Sequence, residues 1–318
     1  MLFLMATISA GACSDSEPNV APAEAANQGS AVPVVREEAD LRLPLDDYDL
    51  DAAGRSTVQT ARYALIAECL ARFGFDMPEH DTSPARYPAN ADYLGWLGAL
   101  DVSVNGYTGT EDQVLRHRLP ARDGIRGYPI PAEQDAVHIG SVRTFKGKQV
   151  PPEGCDGEAQ RKLNGQAPGP DGKVPARPHI YKDLYVLMDD AAEAAVSSDG
   201  SRVDQRIAES TARWSSCMKA KGFGYGRPSD AEHDPRWAGR REVPDGKHLA
   251  PPTKEELETA TADEQCRLQV NYSGARKAAW SEAQRNIIAA RTEQLERLRN
   301  LQQTRYRNAL KVLGENPS

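Results

Sequence analysis

What this chain lacks narrows its class before any motif does. Beyond the stretch Met1 to Ala12, none of its 318 residues fall in an apolar run approaching the roughly 20 residues that a membrane-crossing helix needs, so no later segment is expected to span a bilayer. Cysteine is sparse, at five residues, and no two stand as Cys-x-x-Cys, the spacing that supplies close ligand pairs to structural zinc sites and dithiols to redox enzymes. Also missing are Gly-x-Ser-x-Gly, His-Glu-x-x-His, a phosphate-binding glycine loop and Gly-x-Gly-x-x-Gly. The six histidines are scattered. No catalytic set is therefore expected, and no cofactor. Nucleic acid is excluded as a partner on similar grounds, since the basic terminal segment offers only Trp280 and Tyr306 for stacking on bases.

Hydrophobic residues make up 39% of the chain and charged ones 27%, with a mean hydropathy of -0.62. That is polar for a globular protein, so part of the chain is expected to be linker or exposed helix. The net charge of -7 conceals an asymmetry. Between Ser14 and Gly54 ten acidic residues outnumber two basic ones, whereas from Ala275 to Ser318 nine basic residues outnumber four acidic ones. An acidic arm and a basic terminal segment can meet each other, or the basic segment can meet an anionic surface.

Met1 to Ala12 is apolar and ends in small residues directly before Cys13. Ala10-Gly11-Ala12-Cys13 resembles a bacterial lipobox, which implies a signal peptide over 1–12 and a diacylglyceryl group on Cys13 as the mature N-terminus. No Lys or Arg precedes the apolar stretch, as export leaders normally require, so the true start is expected upstream. Residues 13–40 are rich in Pro, Ala, Ser and Glu and are expected to form a disordered linker beside the lipid.

The feature that organises the rest is a motif present twice, Cys69-Leu70-Ala71-Arg72-Phe73-Gly74-Phe75 and Cys217-Met218-Lys219-Ala220-Lys221-Gly222-Phe223. Each copy closes an amphipathic helical pattern. Ser56 is a candidate cap for the first, with Val58, Ala61, Leu65, Cys69 and Phe73 in its stripe; Ser201 is the candidate for the second, with Val203, Ile207, Trp214, Cys217 and Met218. Gly74 and Gly222 then supply the left-handed residue that ends a helix, and the Phe after each can fold back on the last turn. Four cysteines remain after Cys13, an even number in an exported context. Four allow three pairings, and the duplication favours Cys69 with Cys155 and Cys217 with Cys266. The expected fold is mainly α: two related disulfide-stapled helical units, 41–165 and 178–274, an irregular insertion in the first, and a long basic C-terminal helix over 275–318. Gly165 to Arg177 is the expected hinge, Val102-Ser103-Val104 reads as a short strand, and Tyr181 to Val196 reads as a helix.

Around these copies stand Leu43-Pro44-Leu45-Asp46, Gly154-Cys155-Asp156-Gly157-Glu158-Ala159 and Ala262-Asp263-Glu264-Gln265-Cys266. In this set of elements the chain resembles a group of actinobacterial secreted lipoproteins of unknown function, with Leu70 where the pattern has Met. The resemblance covers most of the chain after Leu41; it implies export and disulfides, and it transfers no catalytic residues.

These readings lead to an expected lipid-anchored protein on the outer face of the cell membrane, without enzymatic activity. It would bind a protein or an anionic envelope component through the insertion or the C-terminal helix. The alternative is an extracellular metal-dependent enzyme using Glu79-His80-Asp81 and Glu232-His233-Asp234, which would supply imidazole and carboxylate ligands if the two halves brought them together.

Overall fold

A computed structural model describes residues 31–77, 81–84, 87–110, 113, 130–175, 180–195, 203–241 and 249–315, with the backbone alone at 180–185. Contacts divide the chain into Met1–Ala31 and Val32–Ser318, and the architecture below is that of the second unit. The leader, Cys13 and the first part of the expected linker lie outside the described residues.

The chain is mainly helical, as its periodicity predicts. After 3-10 turns at Glu38–Leu41 and Pro44–Tyr48 come α1 (Ala52–Ala71), the short helices α2 (Ala91–Leu94), α3 (Val102–Asn105) and α4 (Ala132–His138), and α5 (Gly154–Asn164). Then follow α6 (Ile180–Ala195), α7 (Gln205–Ala220), α8 (Pro228–Glu232), α9 (Lys254–Val270), α10 (Tyr272–Ala290) and α11 (Thr292–Val312). One two-stranded hairpin, β1 (Thr144–Phe145) with β2 (Lys148–Gln149), is the sheet among the described residues.

The two copies of the repeated motif end their helices identically. Gly74 (φ 80°) and Gly222 (φ 93°) are left-handed. Phe75 N donates to Leu70 O at 3.2 Å and Gly74 N to Ala71 O at 3.0 Å, while Phe223 N donates to Met218 O and Gly222 N to Lys219 O, both at 3.0 Å. Both are the double bond of a Schellman terminus, with the Phe returned onto the helix. Both expected disulfides are present, Cys69–Cys155 joining α1 to α5 and Cys217–Cys266 joining α7 to α9.

Four local expectations need correction. Helix α1 starts at Asp51, whose side chain accepts from Gly54 N at 2.7 Å, and Ser56 lies inside the helix with its hydroxyl on Thr82 O. Asp has the charge as well as the geometry of a cap. Helix α7 is capped by Asp204, which accepts from Arg206 N at 2.9 Å; Ser201 lies outside the described residues. Val102-Ser103-Val104 is a helical turn, because a short alternating run with no strand beside it satisfies its backbone only locally. The packed body also begins before residue 41: Val35 is buried, its N–H donates to Asn271 Oδ1 at 3.2 Å, and Asn271 Nδ2 donates to Pro33 O at 2.9 Å. The expected linker therefore yields its last residues to the fold, fastened by the left-handed Asn271 (φ 52°) between α9 and α10.

Packing does not follow the division of the sequence into halves. One core joins α7, α9 and α10 to residues from the first half, including Leu43, Leu94, Leu100 and Tyr107. A second joins α1 and α5 to Ala309 of α11, and a third sets Leu295, Leu298 and Leu301 of α11 against Leu45 and Leu187. Each half thus lends a segment to the other. Leu43-Pro44-Leu45-Asp46 acquires a physical reason: Leu43 enters the first core and Leu45 the third, while Asp46 accepts from Leu43 N at 2.7 Å and from Asn90 Nδ2 at 2.8 Å.

The C-terminal helical segment is long but jointed. Arg291 (φ -129°) divides it into α10 and α11, and Thr292 Oγ1 donates to Ile288 O at 2.8 Å across the junction. The acidic arm meets these helices through polar and ring contacts: Lys277 Nζ donates to Asp40 O, Gln302 Nε2 to Asp49 Oδ1 at 2.6 Å, and Arg299 lies over the Tyr48 ring. Most of the remaining cations there are engaged within the fold, Arg276 with Tyr93 O, Arg291 with Asp190, Arg297 with Glu293, and Arg305 with Asn164.

Candidate functional site: a buried ionic seam and its cleft

Helix α9 buries charge where most helices bury oil. Glu256, Asp263 and Arg267 lie along its inner face at helical spacing, and all three are buried among smaller neighbours such as Ala260 and Cys266. A buried carboxylate is tolerable only when its lone pairs are matched. Asp263 is matched fully, accepting from Arg267 Nε (2.7 Å) and Nη2 (2.8 Å), Trp214 Nε1 (2.7 Å) and Tyr107 OH (3.0 Å). Arg267 also donates to Glu232 Oε1 at 2.6 Å and to Gly95 O at 2.9 Å, and the Tyr272 ring lies 5.5 Å beneath it. Burial pushes the Asp263 carboxyl upward, opposed by the Arg267 guanidinium. Burial pushes the Tyr107 phenol up as well, beside the Asp263 carboxylate, so it remains a protonated donor.

Tyr107 ties a second buried acid to the first. Its backbone N–H donates to Glu256 Oε1 at 3.1 Å, and Arg240 pairs with the same carboxylate. The preceding Gly106 (φ 64°) lies so close that a Cβ would stand 2.2 Å from Glu256 Oε1. Gly106→Ala is therefore expected to destabilise the protein by at least the roughly 1–3 kcal/mol of a strained left-handed residue, read as a fall in the urea midpoint without loss of either disulfide.

Beside the seam lies a cleft of about 90 Å³. Its walls are Trp96, Leu97 and Gly98 from the segment after α2, Glu264 and Arg267 from α9, and Val35 and Arg36 from the arm. The Trp96 ring lies over Gly98, where a Cβ would come within 2.4 Å of it. Trp96 is half-buried and Arg36 exposed.

The sequence-predicted residues separate clearly. Cys69, Cys155, Cys217 and Cys266 form two disulfides, and Cys13 lies outside the described residues. Of the first Glu-His-Asp segment, Glu79 and His80 lie outside them too. In the second, Glu232 pairs with Arg267 and Asp234 with Arg236, whose guanidinium holds the Asp234 carboxyl well below the usual range. His233 stands between them on an exposed turn with Nδ1 2.9 Å from Ser229 O. The described residues contain no cluster of three His, Cys, Asp or Glu side chains arranged to hold a metal. Sequence reasoning missed Arg267 and Tyr107, although the Asp263/Arg267 spacing of four on one helix was a readable signal. Among the described residues no helix is long and apolar enough to cross a membrane. No family model, curated protein or solved structure matches the chain.

Proposed function

We propose that the protein is an extracytoplasmic binding protein without enzymatic activity, attached to the outer face of the cell membrane by lipid on Cys13, its folded body forming a disulfide-locked ligand-binding module. The observation that carries this reading is the pair of disulfides joining core helices, α1 to α5 and α7 to α9. Such bonds persist in oxidising compartments outside the cytoplasm. The apolar stretch ending in Ala10-Gly11-Ala12-Cys13 supplies the address and the anchor, and the group of secreted lipoproteins it resembles is consistent with both. Diacyl attachment is sufficient for stable membrane residence, since each buried methylene contributes about 0.8 kcal/mol.

Because the terminal helices hold most of their cations in internal contacts, the cleft beside α9 is the better supported binding surface. The test is fractionation of cells producing the full chain, with mass spectrometry of the N-terminal peptide. Wild type is expected in the membrane fraction with an acylated Cys13, and Cys13→Ser in the soluble exported fraction. Recovery of both in the cytosol with free thiols would overturn the reading.

A further inference from the structure

The cleft contains a carboxylate without an internal partner. Glu264 is half-buried on α9, and among the described residues no hydrogen bond or ion pair reaches it. Arg267 is the cation of the wall whose charge acts on it, but this guanidinium donates to Asp263, Glu232 and Gly95 O. Burial, together with Asp101 and Asp263, raises the Glu264 carboxyl above its ordinary value, and Arg267 offsets this only in part. The charges acting on Glu264 are Asp101 and Asp263 against Arg267 alone, so negative charge is in excess around it. Arg36 is exposed at the lip, where water and salt screen its charge.

The indole of Trp96 also lines the cleft. Trp96 is the half-buried tryptophan of the chain, whereas Trp214, Trp237 and Trp280 are sealed in the core. An unpaired carboxylate beside an indole, in a recess partly withdrawn from water, suits a cation that carries apolar substituents. A metal ion would gain little from the indole, and an anion would face Glu264. At roughly 15 Å³ per water-sized group, about 90 Å³ admits a ligand of about six non-hydrogen atoms.

We propose that the cleft between Trp96 and Glu264 binds a small organic ammonium group, the charge against the Glu264 carboxylate and the alkyl substituents on the Trp96 ring. The inference rests on the reading of the folded body as a binding module and is independent of the anchor at Cys13. The same chemistry is carried by a free amine and by an aminolipid headgroup.

The test uses the full-length, oxidised protein with Cys13→Ser, titrated with tetramethylammonium chloride and with ethanolamine hydrochloride at constant ionic strength against sodium chloride. A saturable change in tryptophan fluorescence is expected, together with a rise in thermal midpoint. Glu264→Gln is expected to weaken binding at least tenfold while leaving the unliganded midpoint no lower than that of wild type, because the carboxylate holds nothing in place and burial, Asp101 and Asp263 disfavour its charge. Trp96→Leu is expected to remove the fluorescence response and to weaken binding measured by calorimetry. Sedimentation with phosphatidylethanolamine vesicles but not phosphatidylglycerol vesicles, reversed by free ethanolamine, would assign the headgroup as the source; response to the free amines alone would assign a soluble one. No saturable response, equal binding by Glu264→Gln, or stabilisation by sulfate in place of the amines would overturn the proposal. None of those results bears on membrane fractionation, so failure here and failure of the anchoring are read separately.

Discussion

Arg267→Ala is expected to remove a large part of the stability of the protein. The substitution leaves Asp263 and Glu232 without their shared cation, and Asp263 has no access to water that could take its place. Breaking a buried ion pair from one side costs roughly 3–5 kcal/mol, a large part of the about 5–15 kcal/mol by which domains are stable. The loss should register as a fall in the urea midpoint at neutral pH, with both disulfides intact. Arg267→Lys should recover little, since an ammonium cannot reach Asp263, Glu232 and Gly95 O at once from one point. The variant should also regain stability in acid. Burial already raises the Asp263 carboxyl, and losing Arg267 raises it further, so its folded value stands above its unfolded one. Such a group binds its proton more tightly in the folded state, and stability then increases as pH falls through the folded value and is lost as pH rises through it. Arg267→Met combined with Asp263→Asn, which removes the charge from both sides, is expected to be more stable than Arg267→Ala at neutral pH. An Arg267→Ala midpoint equal to wild type would mean that the seam does not hold the fold.

How much of this was readable follows from where the information resides. Helices, their Schellman ends and the cysteine framework were legible because each depends on neighbours in sequence: a stripe every three to four residues, a glycine after it, an even cysteine count. The sharing of segments between halves was not. Tyr107 lies 149 residues from Glu256, and Leu45 N finds Gln284 Oε1 across 239 residues. No local pattern marks such pairs. The seam was hidden for a related reason: α9 has little apolar contrast between its faces, so its inner side carries charge where a periodicity search expects oil. Asp263 was visible as part of Ala262-Asp263-Glu264-Gln265-Cys266, but its role needs Trp214 and Tyr107, which come from other elements. The division at Arg291 was not legible: the sequence predicts one helix over 275–318, and the backbone turn that separates α10 from α11 there (φ -129°) leaves no periodic mark.

The two disulfides should part company under a graded reductant. Reduction begins when an external thiolate reaches one sulfur, so the accessible member of a pair sets its rate. Cys69 and Cys155 are both sealed in the core of α1 and α5, and nothing short of separating those helices exposes them. In the other pair Cys266 is sealed but Cys217 is partly exposed, at the edge of the core beside Gln269. Attack by one thiolate of dithiothreitol at the Cys217 sulfur forms a mixed disulfide there and releases Cys266 as the leaving thiolate, which takes a proton; the second thiol of the reagent then closes its own ring and frees Cys217, with no prior opening of the core. Maleimide trapping in dithiothreitol is therefore expected to find Cys217 and Cys266 labelled on the order of ten times faster than Cys69 and Cys155, the first pair following local access and the second following sub-global opening. Equal rates would show that both wait on the same unfolding event. The equilibrium consequences should be more alike than the rates. The bonds span sequence separations of 86 and 49 residues, and the entropy of closing such loops is worth about 4 kcal/mol in each case. Cys69→Ser with Cys155→Ser, and Cys217→Ser with Cys266→Ser, are each expected to lower the folding free energy by about that amount, because loop closure grows only with the logarithm of length whereas access to a sulfur is decided by a single helix face.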